Sequence, residues 1–327
     1  MTRARLTAVA ALAALALAAP ALAQPAKKAP LPPAPPAAAT TQTDGDVDLA
    51  YGAFQRGRYL TALRYAEERA KHNDAAAMTL IGIIYADGRL GVGRDDAKAA
   101  QWFERAAKHG DRNAMFELAM FAFEGRNGPR DIGKAAKYLS EAAELGHPLA
   151  EYDLGLLYLE GREFPQDAKR AAELLRKSAA AGNALAQYAL ATLYLQGRGV
   201  PKDESAAMQL MGLASVAGNL KAMVQYAVAQ FNGTGVPKNE AAAAQLFLKA
   251  AHRGSPAAAD RLSRILMAGR GLPADPTAAI KWHIIALAGG VSDPDLDVFK
   301  SKQPKSVQAA AEKAAKKWLA TAAPQRS

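Results

Sequence analysis

A fold made only of α-helices, a solenoid of antiparallel helix pairs, is what the sequence predicts. Two observations carry this. A glycine returns every 36 residues from Gly110 through Gly146, Gly182, Gly218 and Gly254 to Gly290. A second glycine series (Gly125, Gly161, Gly197, Gly233, Gly269) and a proline series (Pro129, Pro165, Pro201, Pro237, Pro273) keep the same step. Three registers locked to one period mean one structural unit copied along the chain, and such copying favours a binding scaffold over an enzyme. The alanine-rich composition, with aromatics at 7%, suits closely packed helices.

The elements follow in order. Residues 1–23 read as a secretory signal peptide: Arg3 and Arg5, an apolar run from Leu6 to Ala19, then Ala21-Leu22-Ala23 as a small-x-small cleavage pattern. Cleavage there places the mature chain in the periplasm with no stable membrane span. Residues 24–45 hold Pro25, Pro30, Pro32, Pro33, Pro35 and Pro36 and are expected to form a disordered tether. Residues 46–74 read as a degenerate helix pair broken at Gly57, residues 75–290 as six repeats, and residues 291–327 as capping helices opened by Asp293-Pro294 and closed by a helix over Gln303 to Ala320.

One repeat, Ala186 to Lys221, shows the logic. Leu190, Leu193 and Tyr194 keep helical spacing up to Gln196, and Gly197 ends that helix. Arg198-Gly199-Val200-Pro201 makes the turn, Asp203 caps the next helix, and Gly218 closes it at Ala217 with Asn219 placed to cap the following repeat. Ala106, Ala142, Ser178, Ala214, Ala250 and Ala286 share one position of the second helix; Gly82, Ala119, Gly155, Ala191, Ala227 and Ser263 share one of the first. Small side chains in every copy predict close helix approach there.

Leu193-Tyr194-Leu195-Gln196-Gly197-Arg198-Gly199-Val200-Pro201-Lys202-Asp203, the parallel run from Leu154 to Asp167, and Ala99 to Gly110 resemble the Sel-one-like repeat (SLR) family, 36-residue relatives of the tetratricopeptide repeat (TPR). The resemblance covers about 75–290. It implies a right-handed α/α superhelix and protein–protein binding, often as a periplasmic regulator or assembly adaptor. One cysteine-rich branch of the family is tied to β-lactam hydrolysis, but this chain has no cysteine, so that activity is not carried over. The first repeat has one extra turn residue, the fifth has Gln230 for the usual tyrosine and Asn239 for the capping aspartate, and the sixth is charged at Asp260, Arg261 and Arg264.

The lack of cysteine excludes disulfides and thiolate chemistry. His72, His109, His147, His252 and His283 show no ligand spacing, and no H-E-x-x-H, Gly-x-Ser-x-Gly, Ser-x-x-Lys or Walker loop occurs, so neither catalysis, metal nor cofactor is expected. His109, His147 and His252 adjoin cap glycines, where an imidazole can satisfy terminal carbonyls. The net charge of +10 favours an acidic partner, while the export signal argues against nucleic acid.

Two candidate faces emerge. Arg89, Arg126, Arg162, Arg198 and Arg270 each follow a first-helix glycine, and stacking would align them as a basic ridge. The ridge is either a solvated edge offset by neighbouring aspartates or a contact for an acidic protein, an anionic polysaccharide or lipid. By analogy with tetratricopeptide arrays, the first helices line a concave face bearing Phe116, Tyr152 and Tyr188 at one position and Phe123 at another. Either curvature buries that face as core, or it forms a groove for a partner segment, with Tyr152 and Tyr188 as preferred contacts. The resulting expectation is a non-enzymatic periplasmic interaction scaffold or regulator. Binding of polysaccharide or lipid by the basic edge stands second, and a peptidoglycan or β-lactam hydrolase last.

Overall fold

The computed structural model describes residues 48–89 and 91–322; the signal-peptide and tether readings lie outside the described residues. Among the described residues there are sixteen helices and no strand. They fall into two units, the first ending at Asp167 and the second beginning at Ala168. In the first unit, α1 (Leu49–Gln55) and α2 (Tyr59–Ala70) precede α3 (Ala75–Asp87), α4 (Asp96–Lys108), α5 (Arg112–Glu124), α6 (Ile132–Glu144) and α7 (Pro148–Glu160). The second unit holds α8 (Ala168–Ala180), α9 (Ala184–Gln196), α10 (Glu204–Val216), α11 (Leu220–Asn232), α12 (Glu240–His252), α13 (Pro256–Ala268) and α14 (Pro276–Ala288), then α15 (Pro294–Ser301) and α16 (Lys305–Ala322). Within each unit consecutive helices pack on each other, so the chain is an all-α array of helix pairs.

The joint between repeats is one motif used six times. Gly110, Gly146, Gly182, Gly218, Gly254 and Gly290 all have positive φ, between 72° and 93°. The glycine N–H bonds three residues back, as in Gly182 to Ala179, and the next residue's N–H bonds five back, as in Asn183 to Ser178 (3.2 Å) and Asn219 to Ala214 (2.9 Å). This double closure satisfies the carbonyls orphaned at the helix end. Its acceptor is the small position of the second helix, and Ala106, Ala142, Ser178, Ala214, Ala250 and Ala286 are all completely buried. The residue after the glycine then caps the next helix: Asp111, Asn183, Asn219 and Ser255 accept from its first-turn N–H groups through side-chain oxygens. The helices of the array, first and second alike, are 13 residues long; the first helix α9 begins at Ala184, two residues before the sequence-based start, because Asn183 is the cap.

The turn inside a repeat is tied differently. The N–H of the second-helix cap reaches back to the first helix: Asp131 to Ala122 O (2.9 Å), Asp203 to Tyr194 O (3.0 Å), Asn239 to Gln230 O (2.7 Å). Asn239 in the aspartate's place still caps α12, accepting from Ala242 N–H at 2.9 Å. The longer first turn makes the same closure from Asp95 to Tyr85 O at 3.0 Å.

Small first-helix positions have a steric cause. A Cβ on Gly82 would stand 2.4 Å from the buried Phe103 ring. Ser263 donates to Ala279 O at 2.6 Å, so its hydroxyl is satisfied inside the helix pair. At the N-terminal end Phe54 meets Tyr59 edge-on (5.5 Å), and Arg69 bridges Asp48 and Asp74, each at 2.7 Å. At the C-terminal end Trp318 of α16 meets Trp282 of α14 edge-on at 5.8 Å, and Arg264 pairs with the buried Asp293 at 2.5 Å.

Candidate protein-binding faces

In the first unit the aromatic positions sit beside acids, Asp153 buried and Glu117 half-buried. Phe116 on α5 and Tyr152 on α7 are half-buried, and Phe123 is buried at 8% exposure. The Phe116 ring stacks on His147 at 4.5 Å. His147 is the cap of α7: Ala150 N–H donates to its Nδ1 at 3.1 Å. This corrects the expected role, since the imidazole satisfies a helix-start N–H and not a terminal carbonyl. The reason is position: a residue directly after Gly146 already belongs to the next helix. Burial, then the Arg112 charge, lowers the His147 pKa to about 4, so the ring stays neutral and keeps its acceptor.

Next to each aromatic lies an acid. Asp153, 7% exposed, has its carboxyl pushed up to about 7 by burial. Glu117 is also pushed up to about 7, by burial and then by the Asp87 charge, with Arg126 acting against them. Burial and the Asp153 charge raise the Tyr152 phenol to about 12. Glu117 and Asp153 occupy one repeat position, which holds Leu80 and Ala189 in neighbouring copies. Pattern reading passed over them; the signal was an acid where other copies are apolar.

In the second unit Tyr188 is half-buried on α9. Gln225 Nε2 donates to its hydroxyl at 3.2 Å, and Thr192 Oγ1 donates to its carbonyl at 3.0 Å. Burial raises its pKa and these hydrogen bonds work against that. The ring is thus fixed by packing while its polar tip is held by a side chain of α11.

The arginines divide by what the preceding second helix offers. Arg126, with 19% of its side chain exposed, bonds Ala86 O (2.6 Å) and Asp96 Oδ1 (2.5 Å) and lies over the Phe121 ring at 4.2 Å. Arg270 pairs with Glu240 (2.5 Å) over the Phe231 ring at 4.4 Å. That contact, with Lys238, holds the Glu240 carboxyl down near 2. Asp96 and Glu240 share the first position of their helices, and Ile132 stands there before Arg162. Arg162 is accordingly 76% exposed, with Glu160 at 3.9 Å. Arg198 is half-buried, and burial lowers its pKa. Arg89 pairs with Asp87 over the rings of Phe54 and Tyr59. Among the described residues no group of His, Asp and Glu could hold a metal ion, and no helix is long and apolar enough to cross a membrane.

The Sel1 repeat model matches residues 75–111, 112–147, 148–183, 184–219, 220–255 and 256–291, two thirds of the chain. The chain is similar to a Sel1 repeat protein from Oxalobacter formigenes, with 29% identity, a TM-score of 0.62, and coverage of 78% of this chain and 75% of that one. It is also similar to a protective antigen of uropathogenic Escherichia coli strains that displays an SLR fold, with 25% identity, a TM-score of 0.56, and coverage of 85% and 68%. No curated protein matches the sequence.

Proposed function

The chain belongs to the Sel1 repeat family, and from that premise we propose that it is a non-enzymatic periplasmic scaffold that binds a partner protein through the half-buried aromatics of its first helices. Sel1 repeats generally mediate protein–protein interactions. The observation that carries the reading is the setting of Tyr152 and Tyr188. Each is half-buried, held within its unit while part of the residue stays accessible, which is how an aromatic anchor contributes contact area at low entropic cost. The periplasmic part rests on the leader-like residues 1–23.

The test pairs capture with stability. Tyr152→Ala with Tyr188→Ala is expected to weaken in-cell crosslinking to the partner about tenfold or more, in an osmotic-shock fraction whose protein begins near Gln24. Unchanged partners with lowered thermal stability would make the tyrosines packing residues and end this reading. Retention in the cytoplasm would end the periplasmic part.

Binding of an anionic polysaccharide or lipid by the turn edge is the second reading. Its support is the exposed Arg162, because Arg126 and Arg270 are engaged in ion pairs within their own units. Loss of salt-sensitive retention on such a ligand in Arg162→Glu separates it from the first.

A further inference from the structure

The fifth repeat breaks the pattern of the array in one coordinated way. Where the third and fourth repeats carry Leu154 with Tyr158 and Leu190 with Tyr194, the fifth carries Tyr226 with Gln230. The aromatic ring has moved back by one helical turn, and a smaller amide occupies its former place. A second departure accompanies the first. Gly212 sits inside α10, where the other copies have Glu104, Ser140, Arg176, Leu248 and Ile284. Glycine within a helix is destabilising relative to alanine, and here it has a steric reason: a Cβ on Gly212 would stand 3.3 Å from the Tyr226 ring.

The space left is a groove of about 650 Å³. Tyr226, Leu246 and Leu248 give it apolar walls, and Gln230, Lys249 and His252 line it too. The Gln230 Oε1 has no hydrogen-bond partner. No acidic residue lines the groove. Lys249 is exposed and makes no ion pair among the described residues. Arg253 adds charge nearby, with its guanidinium 3.5 Å from where a Gly218 Cβ would stand, at the end of α10. On α10 itself Val216, one turn beyond Gly212, is 86% exposed, and Leu213 is 56% exposed. Their repeat-equivalents include Lys108 and Glu144, and Arg105, Glu141 and Lys177. One helix has therefore exchanged its charged outer positions for apolar ones, beside a groove with a cationic rim.

We propose that this groove and the adjoining face of α10 dock a segment of a partner protein in which apolar side chains are flanked by carboxylates. The apolar walls would take the side chains, and Lys249, with Arg253 beside α10, would meet the acids. The site goes beyond the tyrosine face: neither Tyr152 nor Tyr188 lines it, so one can fail while the other stands.

The test uses the whole protein and an amphipathic Leu/Glu peptide, with Leu/Lys and Ser/Glu analogues as controls. Binding is followed by amide shifts and by fluorescence anisotropy. The Leu/Glu peptide is expected to shift residues of α11 and α12, and each control to bind at least about tenfold more weakly. Tyr226→Leu with Gln230→Tyr restores the arrangement of Leu190 and Tyr194. It should keep helical content and weaken binding about tenfold or more. Lys249→Glu, at an exposed position, should do the same through charge alone and serves if the double variant fails to fold. The proposal is overturned if the Leu/Glu peptide does not bind, if the Leu/Lys peptide binds equally well, if neither variant alters binding, or if the patch instead joins two copies of the chain in sedimentation.

Discussion

Gly199→Ala is expected to lower the unfolding free energy of the second unit by about 3 kcal/mol. Gly199 has φ +72°, and an added Cβ would meet Ala168 O at 2.0 Å. A methyl group cannot share that space with a backbone carbonyl, so the turn or the start of α8 must shift. The left-handed conformation alone accounts for about 1–2 kcal/mol, and forced repacking adds about 1–3 kcal/mol. Gly182 is the control. It has φ +88° but no heavy atom within 4 Å of a built Cβ, so Gly182→Ala should show the backbone part only, about 1 kcal/mol. Urea unfolding followed by circular dichroism measures both. Equal losses at the two sites would show that the Gly199 turn relaxes freely and that its close approach to α8 stores no constraint.

Asp153→Asn is expected to stabilise the first unit at pH 8 by about 2 kcal/mol. The sign follows from the proton balance. Burial raises the folded pKa from 3.8 to about 7, so between those values the folded state holds a proton that the unfolded state has released. Stability from this group is therefore full below about pH 4, falls through the window, and is lost above about pH 7. The whole displacement corresponds to about 4 kcal/mol, and burying the asparagine amide takes back about 2. His147 acts the other way: its lowered pKa makes the fold less stable as pH falls from 6.5 towards about 4. The comparison must be between Asp153→Asn and the parent across pH 4–8, where the difference isolates the carboxylate. A variant curve parallel to the parent would mean that Asp153 is ionised in the fold.

Much of the fold was legible because backbone geometry repeats with the sequence. The glycine series marks residues with positive φ, and Asp203 and Asn219 cap the helices they precede. These are local effects, decided within a few residues, and a single period exposes them. The candidate faces were less legible. Arg126 and Arg270 read as free turn charges because their acids, Asp96 and Glu240, lie 30 residues upstream on another helix. Phe123 and Tyr152 share a helix face in the pattern, but the structure buries the first and leaves the second half-exposed. The fifth-repeat groove needed Gly212 and Tyr226 to be seen in contact, since each departure alone reads as a worn copy.

The two kinds of joint differ in how they would receive an inserted residue. Between repeats, Asp111, Asn183, Asn219 or Ser255 closes one helix with its N–H and opens the next with its side chain. No residue is spare there, so one added amino acid would separate the two tasks and release a helix end. Inside a repeat the two tasks fall to separate residues, Thr234 N–H closing the first helix on Ala229 O and Asn239 N–H tying the second-helix cap to Gln230 O, and the first repeat already carries an extra residue with the Asp95 closure intact at 3.0 Å. Length variation among such chains should accumulate in the inner turns, and a tag or loop grafted between Thr234 and Asn239 should leave the array in register, whereas the same graft after Gly182 should not.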